Sequence, residues 1–210
     1  MEPKINFDVI DQMIRFAARM DSLGLVDAFS GNLSVLDNDL LYVSPTGKSK
    51  ATYTCDSVAV MDPHGNQVHG IFAPTTEYKM HKAVYSMRDD IGAVVHTHSP
   101  YLTSYAIQGK PVFSKSYTGL MMIFGEIPVL PYGQPGTEKI YAGLQDLLKE
   151  HHAVLLKNHG ALIVGHDLEQ AVNRAEAAES IAKTVFLSEI HGGSEPLSEA
   201  EIKKIYNQLF

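Results

Sequence analysis

IGAVVHTHSP, residues 91–100, decides the reading of this chain. Its small and β-branched apolar residues predict a buried strand over 91–98. Side chains at i and i+2 of a strand share a face, so His96 and His98 point the same way and can reach one cation. A catalytic zinc site takes three protein ligands and keeps one position open, so a third ligand is needed. LLKNHGALIV, residues 155–164, supplies it. There His159 ends a second apolar run, and Gly160 permits a tight turn into a partner strand. A lone His at a strand end is ordinarily a hydrogen-bonded polar residue. HxH on a buried strand, with HG at the end of another, reads as a metal site.

Outward from these two stretches the chain alternates short strands with helices. Phe7, Ile10, Met13, Ile14 and Ala17 fall at helical spacing and predict a helix over 6–23, stopped by Gly24. Strands are expected at 33–35 and 40–43 about the turn at Asp37 to Asp39, and at 58–61 and 67–68 about an HGN turn. Thr75 or Thr76 is expected to cap a helix running to about Met87, with Glu77 in its first turn. Further helices are expected over 100–108, 137–149, 168–190 and 198–209. Short strands are expected near 112–113 and 129–130, and 153–157 is expected to pair with 161–164. This order lacks the regular βαβ alternation of a doubly wound fold. It predicts one α/β domain over residues 1–210 with a mixed, largely antiparallel sheet.

Composition narrows the function. The 210 residues are 45% hydrophobic and 20% charged, with a net charge of −7 and no basic stripe. Nucleic-acid binding leaves a basic footprint and is set aside. No apolar run approaches the roughly 20 residues of a membrane helix. MEPKINFDVIDQM lacks the pattern of a signal peptide. Cys55 is the single cysteine, so no disulfide forms within the chain, and the cytoplasm is the expected compartment. The compositional oddity is ten His residues, several of them clustered.

Three further segments bear on ligand binding. Pro74-Thr75-Thr76-Glu77 places two hydroxyls and free backbone N–H groups at a helix start, a ready anion site, followed by a carboxylate able to transfer protons. The same residues also make an ordinary cap with a dipole-friendly Glu. Ser30-Gly31-Asn32 and Ser44-Pro45-Thr46-Gly47 are polar Gly turns beside strands, as a phosphate cradle requires and as many plain loops provide.

Together, SGNLSV (30–35), SPTGK (44–48), PTTEYKMH (74–81), VVHTHSPY (94–101) and LLKNHGAL (155–162) resemble the class II aldolase and adducin-head family, and within it the fuculose-phosphate aldolases. The resemblance spans about Ile10 to Tyr206. It implies a three-layer α/β/α domain, with Zn2+ held by His96, His98 and His159. It implies Glu77 as the acid/base beside the metal, and Asn32, Thr46, Gly47, Thr75 and Thr76 around the substrate phosphate. The family's members are often homotetramers with the site between subunits, completed by a Tyr from a neighbour or from the C-terminal tail, and Tyr117 is the candidate here. Phe29, before the SGN turn, and VFSKSYTGL (112–120) depart from the family's pattern. The implied partner is a small phosphorylated sugar, and the implied reaction cleaves a ketose 1-phosphate to dihydroxyacetone phosphate and an aldehyde. A pentulose-5-phosphate 4-epimerase, a sugar-acid phosphate decarboxylase and a thiosugar phosphate dehydratase share such a site. A non-catalytic scaffold like the adducin head is disfavoured, because all three His and Glu77 are intact.

Overall fold

The structure is a computed structural model describing residues 4–207. Eight strands form one sheet: β1 (Asn32–Asp37), β2 (Leu40–Val43), β3 (Ala59–Met61), β4 (Gln67–His69), β5 (Ala93–Thr97), β6 (Val129–Leu130), β7 (Ala153–Leu156) and β8 (Gly160–Gly165). The spatial order is β4-β3-β2-β1-β5-β8-β7-β6. Every neighbouring pair is antiparallel except β6 with β7. The expected mixed, largely antiparallel sheet is therefore present, and β5 lies inside it between β1 and β8.

Period-two alternation divides the sheet between two helical layers. Ala93 and Val95 of β5, with Ala161 and Ile163 of β8, face α1 (Phe7–Ser22), α3 (Pro100–Gln108) and α6 (Leu168–Ile190). Val94, Leu162 and Val164 face α2 (Tyr78–Tyr85) and α5 (Leu144–Leu148). The wholly buried face of α6 carries Ala171, Ala175, Ala178 and Ala182, whose small side chains let the helix axis approach the sheet closely. Among the described residues, no helix is long and apolar enough to cross a membrane.

Several elements differ from the sequence expectation, each for a local reason. Neither Thr75 nor Thr76 caps α2. Tyr78 N–H bonds to the Thr75 carbonyl in a preceding turn, so Glu77 becomes the N-cap residue and the helix starts one residue later. The expected 137–149 helix is two pieces, a 3-10 turn at Glu138–Tyr141 and α5, because Ala142 is extended and Gly143 sits at φ +85°. Residues 112–113 contribute one isolated bridge, Val112 to Ile127, instead of a strand. An unexpected helix, α4 (Thr118–Ile123), follows it. The last helix, α7, is Glu199–Asn207; the expected end at Leu209 lies outside the described residues. The β1–β2 hairpin turns on Asn38 and Asp39, both left-handed, as a tight two-residue turn between twisted strands requires.

Candidate metal centre

Strand register assembles the site. Asn32 on β1 pairs with His96 on β5, and His96 pairs with Leu162 on β8. All three side chains lie on the α2 face. His98 continues that face just past the strand end, and His159 stands in the turn joining β7 to β8. That turn is held by Asn158 at φ +58°, not by Gly160. Gly160 instead makes room. A Cβ there would lie 2.3 Å from the Thr97 carbonyl oxygen and 3.0–3.1 Å from the rings of His98 and His96. Only glycine lets the His159 turn close onto the HTH strand end.

The three imidazoles converge. His96 Nε2 is 2.9 Å from His98 Nε2 and 3.0 Å from His159 Nε2. His96 Nδ1 donates to the Ala161 carbonyl at 2.9 Å, which leaves its Nε2 as a bare lone pair. Tetrahedral ligands at about 2.0–2.1 Å from a metal are about 3.3 Å apart, close to this spacing. Burial lowers the pKa of wholly buried His96, and burial with the neighbouring imidazoles takes His98 to about 4. Neutral, proton-free nitrogens are what a divalent cation requires. The group fits a metal ion on the chemistry of its donors.

Glu77 sits directly against this group. One carboxylate oxygen lies 3.0 Å from His159 Nε2; the other accepts from Asn32 Nδ2 at 2.8 Å and lies 3.5 Å from His96 Nε2. Burial works to raise its pKa. The imidazoles of His96 and His159 and the Asn32 amide outweigh burial and hold the carboxyl below the usual carboxylate range.

Behind Glu77 runs a buried polar chain. His81 Nε2 donates to Asn32 Oδ1 at 2.5 Å, leaving His81 Nδ1 to accept from Ser34 Oγ at 2.7 Å. Tyr85 Oη lies 2.7 Å from the same Oγ. Burial takes the His81 pKa down to about 3, so the ring stays neutral and the order of donors is fixed. The spacing that marks this chain is visible in the sequence: Ser34 is two residues from Asn32 on one strand face, and His81 and Tyr85 follow Glu77 at successive helical turns. Ser34 and Tyr85 were not singled out by sequence reasoning.

The expected anion segments meet at the same end of the sheet. Ser44 Oγ accepts from Leu33 N–H at 3.0 Å, Thr75 N–H donates to the Ser44 carbonyl at 2.8 Å, and Thr46 N–H to the Ala73 carbonyl at 2.9 Å. Thr75 is buried, with its Oγ1 3.3 Å from Asn32 Nδ2, whereas Thr46, Gly47 and Thr76 are exposed. Tyr117 stands apart. It is the N-cap of α4, and its ring packs on the core shared by α1, α3 and α6, across the sheet from Glu77.

Comparison with known proteins identifies the family. The profile of the Class II Aldolase and Adducin N-terminal domain matches residues 11–186. L-fuculose phosphate aldolase of Methanococcus maripaludis is 31% identical over 157 residues, 75% of this chain and 84% of its own. 3-oxo-tetronate 4-phosphate decarboxylase of Haemophilus influenzae is 31% identical over 202 residues, 93% of this chain and 95% of its own. A solved L-fuculose 1-phosphate aldolase superposes with a TM-score of 0.88 at 29% identity, over 97% of each chain. With its sheet, its converging histidines and this match, the chain belongs to the class II aldolase and adducin N-terminal domain family.

Proposed function

We propose that this protein is a zinc-dependent homotetrameric aldolase that cleaves a ketose 1-phosphate, L-fuculose 1-phosphate or a similar deoxy-ketose phosphate, to dihydroxyacetone phosphate and an aldehyde. The observation that carries the reading is the Glu77 carboxylate set 3.0 Å from a ligand nitrogen of a converged three-histidine group. In it His96, His98 and His159 hold Zn2+, which when bound supplies Lewis-acid stabilisation of negative charge developing on substrate oxygens. Glu77 moves the proton at the carbon of the dihydroxyacetone phosphate half, adding it in cleavage and removing it in synthesis. In synthesis it starts as the ionised base; in cleavage it must take up a proton before it can give one to carbon. Asn32 holds that carboxylate by its amide. Asn32, Thr46, Gly47, Thr75 and Thr76 hold the phosphate, Thr75 nearest Glu77 and the exposed residues at the mouth. Tyr117 is assigned the proton of the C4 hydroxyl. Since its ring packs across the sheet from Glu77 in its own chain, this assignment requires a neighbouring subunit to bring its copy of the residue to the site. Exposed Phe29 and Ile71, flanking the SGN and PTTE segments in sequence, are apolar surface for a subunit to cover.

A second reading is a decarboxylase of a phosphorylated keto-sugar acid, favoured by the similarity to the 3-oxo-tetronate 4-phosphate decarboxylase over nearly the whole chain. The zinc-loaded protein is incubated separately with L-fuculose 1-phosphate, L-ribulose 1-phosphate, a 5-deoxypentulose 1-phosphate and 3-oxo-tetronate 4-phosphate. Dihydroxyacetone phosphate and CO2 are measured. Metal-dependent release of dihydroxyacetone phosphate from a ketose 1-phosphate, falling at least about 100-fold in Glu77→Gln, is expected. Carbon dioxide from the keto acid, with no triose phosphate from any ketose, replaces the aldolase by the decarboxylase.

A further inference from the structure

Lys50 is 3% exposed, yet among the described residues it has almost no partner. Its Nζ donates to the Ser30 carbonyl at 2.5 Å, one bond for an ammonium with three donors. Among the described residues no carboxylate reaches ion-pair distance of it; Asp27, Asp21 and Glu77 act on it only from farther away. Buried lysines are almost always paired, because an ammonium removed from water without a counter-charge is costly.

The position of this bare charge is informative. Lys50 opens a 3-10 turn, Lys50–Thr52, separated by one residue from the SPTGK segment. The carbonyl it holds belongs to Ser30 of the SGN segment. The next residue, Gly31, sits at φ +71°, where a Cβ would meet Val26 and the His96 carbonyl oxygen. The residue after that is Asn32, which grips Glu77. One side chain, two residues past the SPTGK segment, thus holds the SGN segment and leaves beside both a positive charge with no carboxylate at ion-pair distance among the described residues.

We infer that Lys50 is the buried counter-charge and positioning residue of the anion site, selecting a doubly charged phosphate ester over neutral or singly charged sugars. The identity of the anion as the phosphate of a sugar rests on the function proposed above; the unpaired cation does not. Lys50 orients the SGN turn through Ser30 and acts on the phosphate by its charge, so no bond is made or broken at its nitrogen.

The test uses zinc-loaded wild type, Lys50→Met and Lys50→Gln, with thermal melting in inorganic phosphate against chloride at equal ionic strength. Wild type is expected to melt higher in phosphate. Both variants are expected to lose that shift, to keep their zinc, and to melt no lower than wild type in chloride, since an unpaired buried charge has been removed. With the ketose 1-phosphate, KM is expected to rise by about tenfold or more, and by more than kcat falls. Variants that melt lower in chloride but keep the full phosphate shift make Lys50 a plain structural residue and overturn the inference. So does an unchanged KM. If no ketose 1-phosphate is cleaved by wild type while the phosphate shift depends on Lys50, the aldolase reading falls and the anion site stands.

Discussion

Asn32 uses both ends of its amide: Nδ2 donates to Glu77 and Oδ1 accepts from His81. The orientation of that amide, and so the grip on the carboxylate, is set by a histidine that touches neither metal ligand nor solvent. His81→Leu keeps the volume and removes the donor. It is expected to lower kcat by about 10–100-fold with metal content unchanged, as substitutions one step behind a metal site do. Equal turnover in the variant would mean that Asn32 orients itself. A second histidine gives a stability prediction. Burial, with Arg174 and Arg88 nearby, lowers the His152 pKa to about 4. The unfolded chain, with an ordinary value of about 6.5, binds the proton first as pH falls, so stability drops between about pH 6.5 and pH 4. In urea melts at about pH 7 and about pH 5, His152→Gln is expected to show a smaller acid loss than wild type. An identical loss removes His152 from the acid response.

At the scale of elements, the HTH strand end is anchored from the opposite layer. Glu179 of α6 accepts from Ser99 Oγ at 2.7 Å and from the backbone N–H groups of Tyr101 and Leu102 at 2.9 Å each, capping α3 just after His98. Glu179→Ala is expected to cost about 2 kcal/mol in denaturant unfolding and to weaken zinc retention. Full retention with full stability would show the cap to be dispensable. Elements with strong periodic signals were legible in sequence: α3 and α6 begin and end where Pro100, Gln108, Leu168 and Ile190 stand, and the i, i+2 histidines share a face because strand geometry leaves no choice. Short elements were not. Glycine at position 119 and six residues of length hide α4, and one left-handed glycine splits the stretch before β7. The burial of Lys50 was illegible because it depends on α1, packed against the 3-10 turn from far away in sequence.

At the scale of the whole molecule, the site is a closure across the sheet. Asn32, Glu77, the HTH pair and His159 come from four separate segments of the chain, and the non-sequential order β1-β5-β8 brings the strands that carry or flank them together. A metal bound by His96, His98 and His159 therefore binds the folded state alone. Chelation is expected to lower the unfolding free energy by about 3–4 kcal/mol when free metal had stood at about 100 to 1,000 times its dissociation constant. Zinc should restore the melt. Identical melts with and without chelator would mean that the histidines hold no ion. The sheet's two borders carry a different consequence. They are β4 and β6, three residues and two residues long. Neither offers a run of free N–H and C=O groups long enough to template a further strand. Among the described residues these borders disfavour extending one sheet into the next, so an assembly is expected to be built from side chains on helices and loops, its geometry open to surface substitution without disturbing the hydrogen-bonded frame.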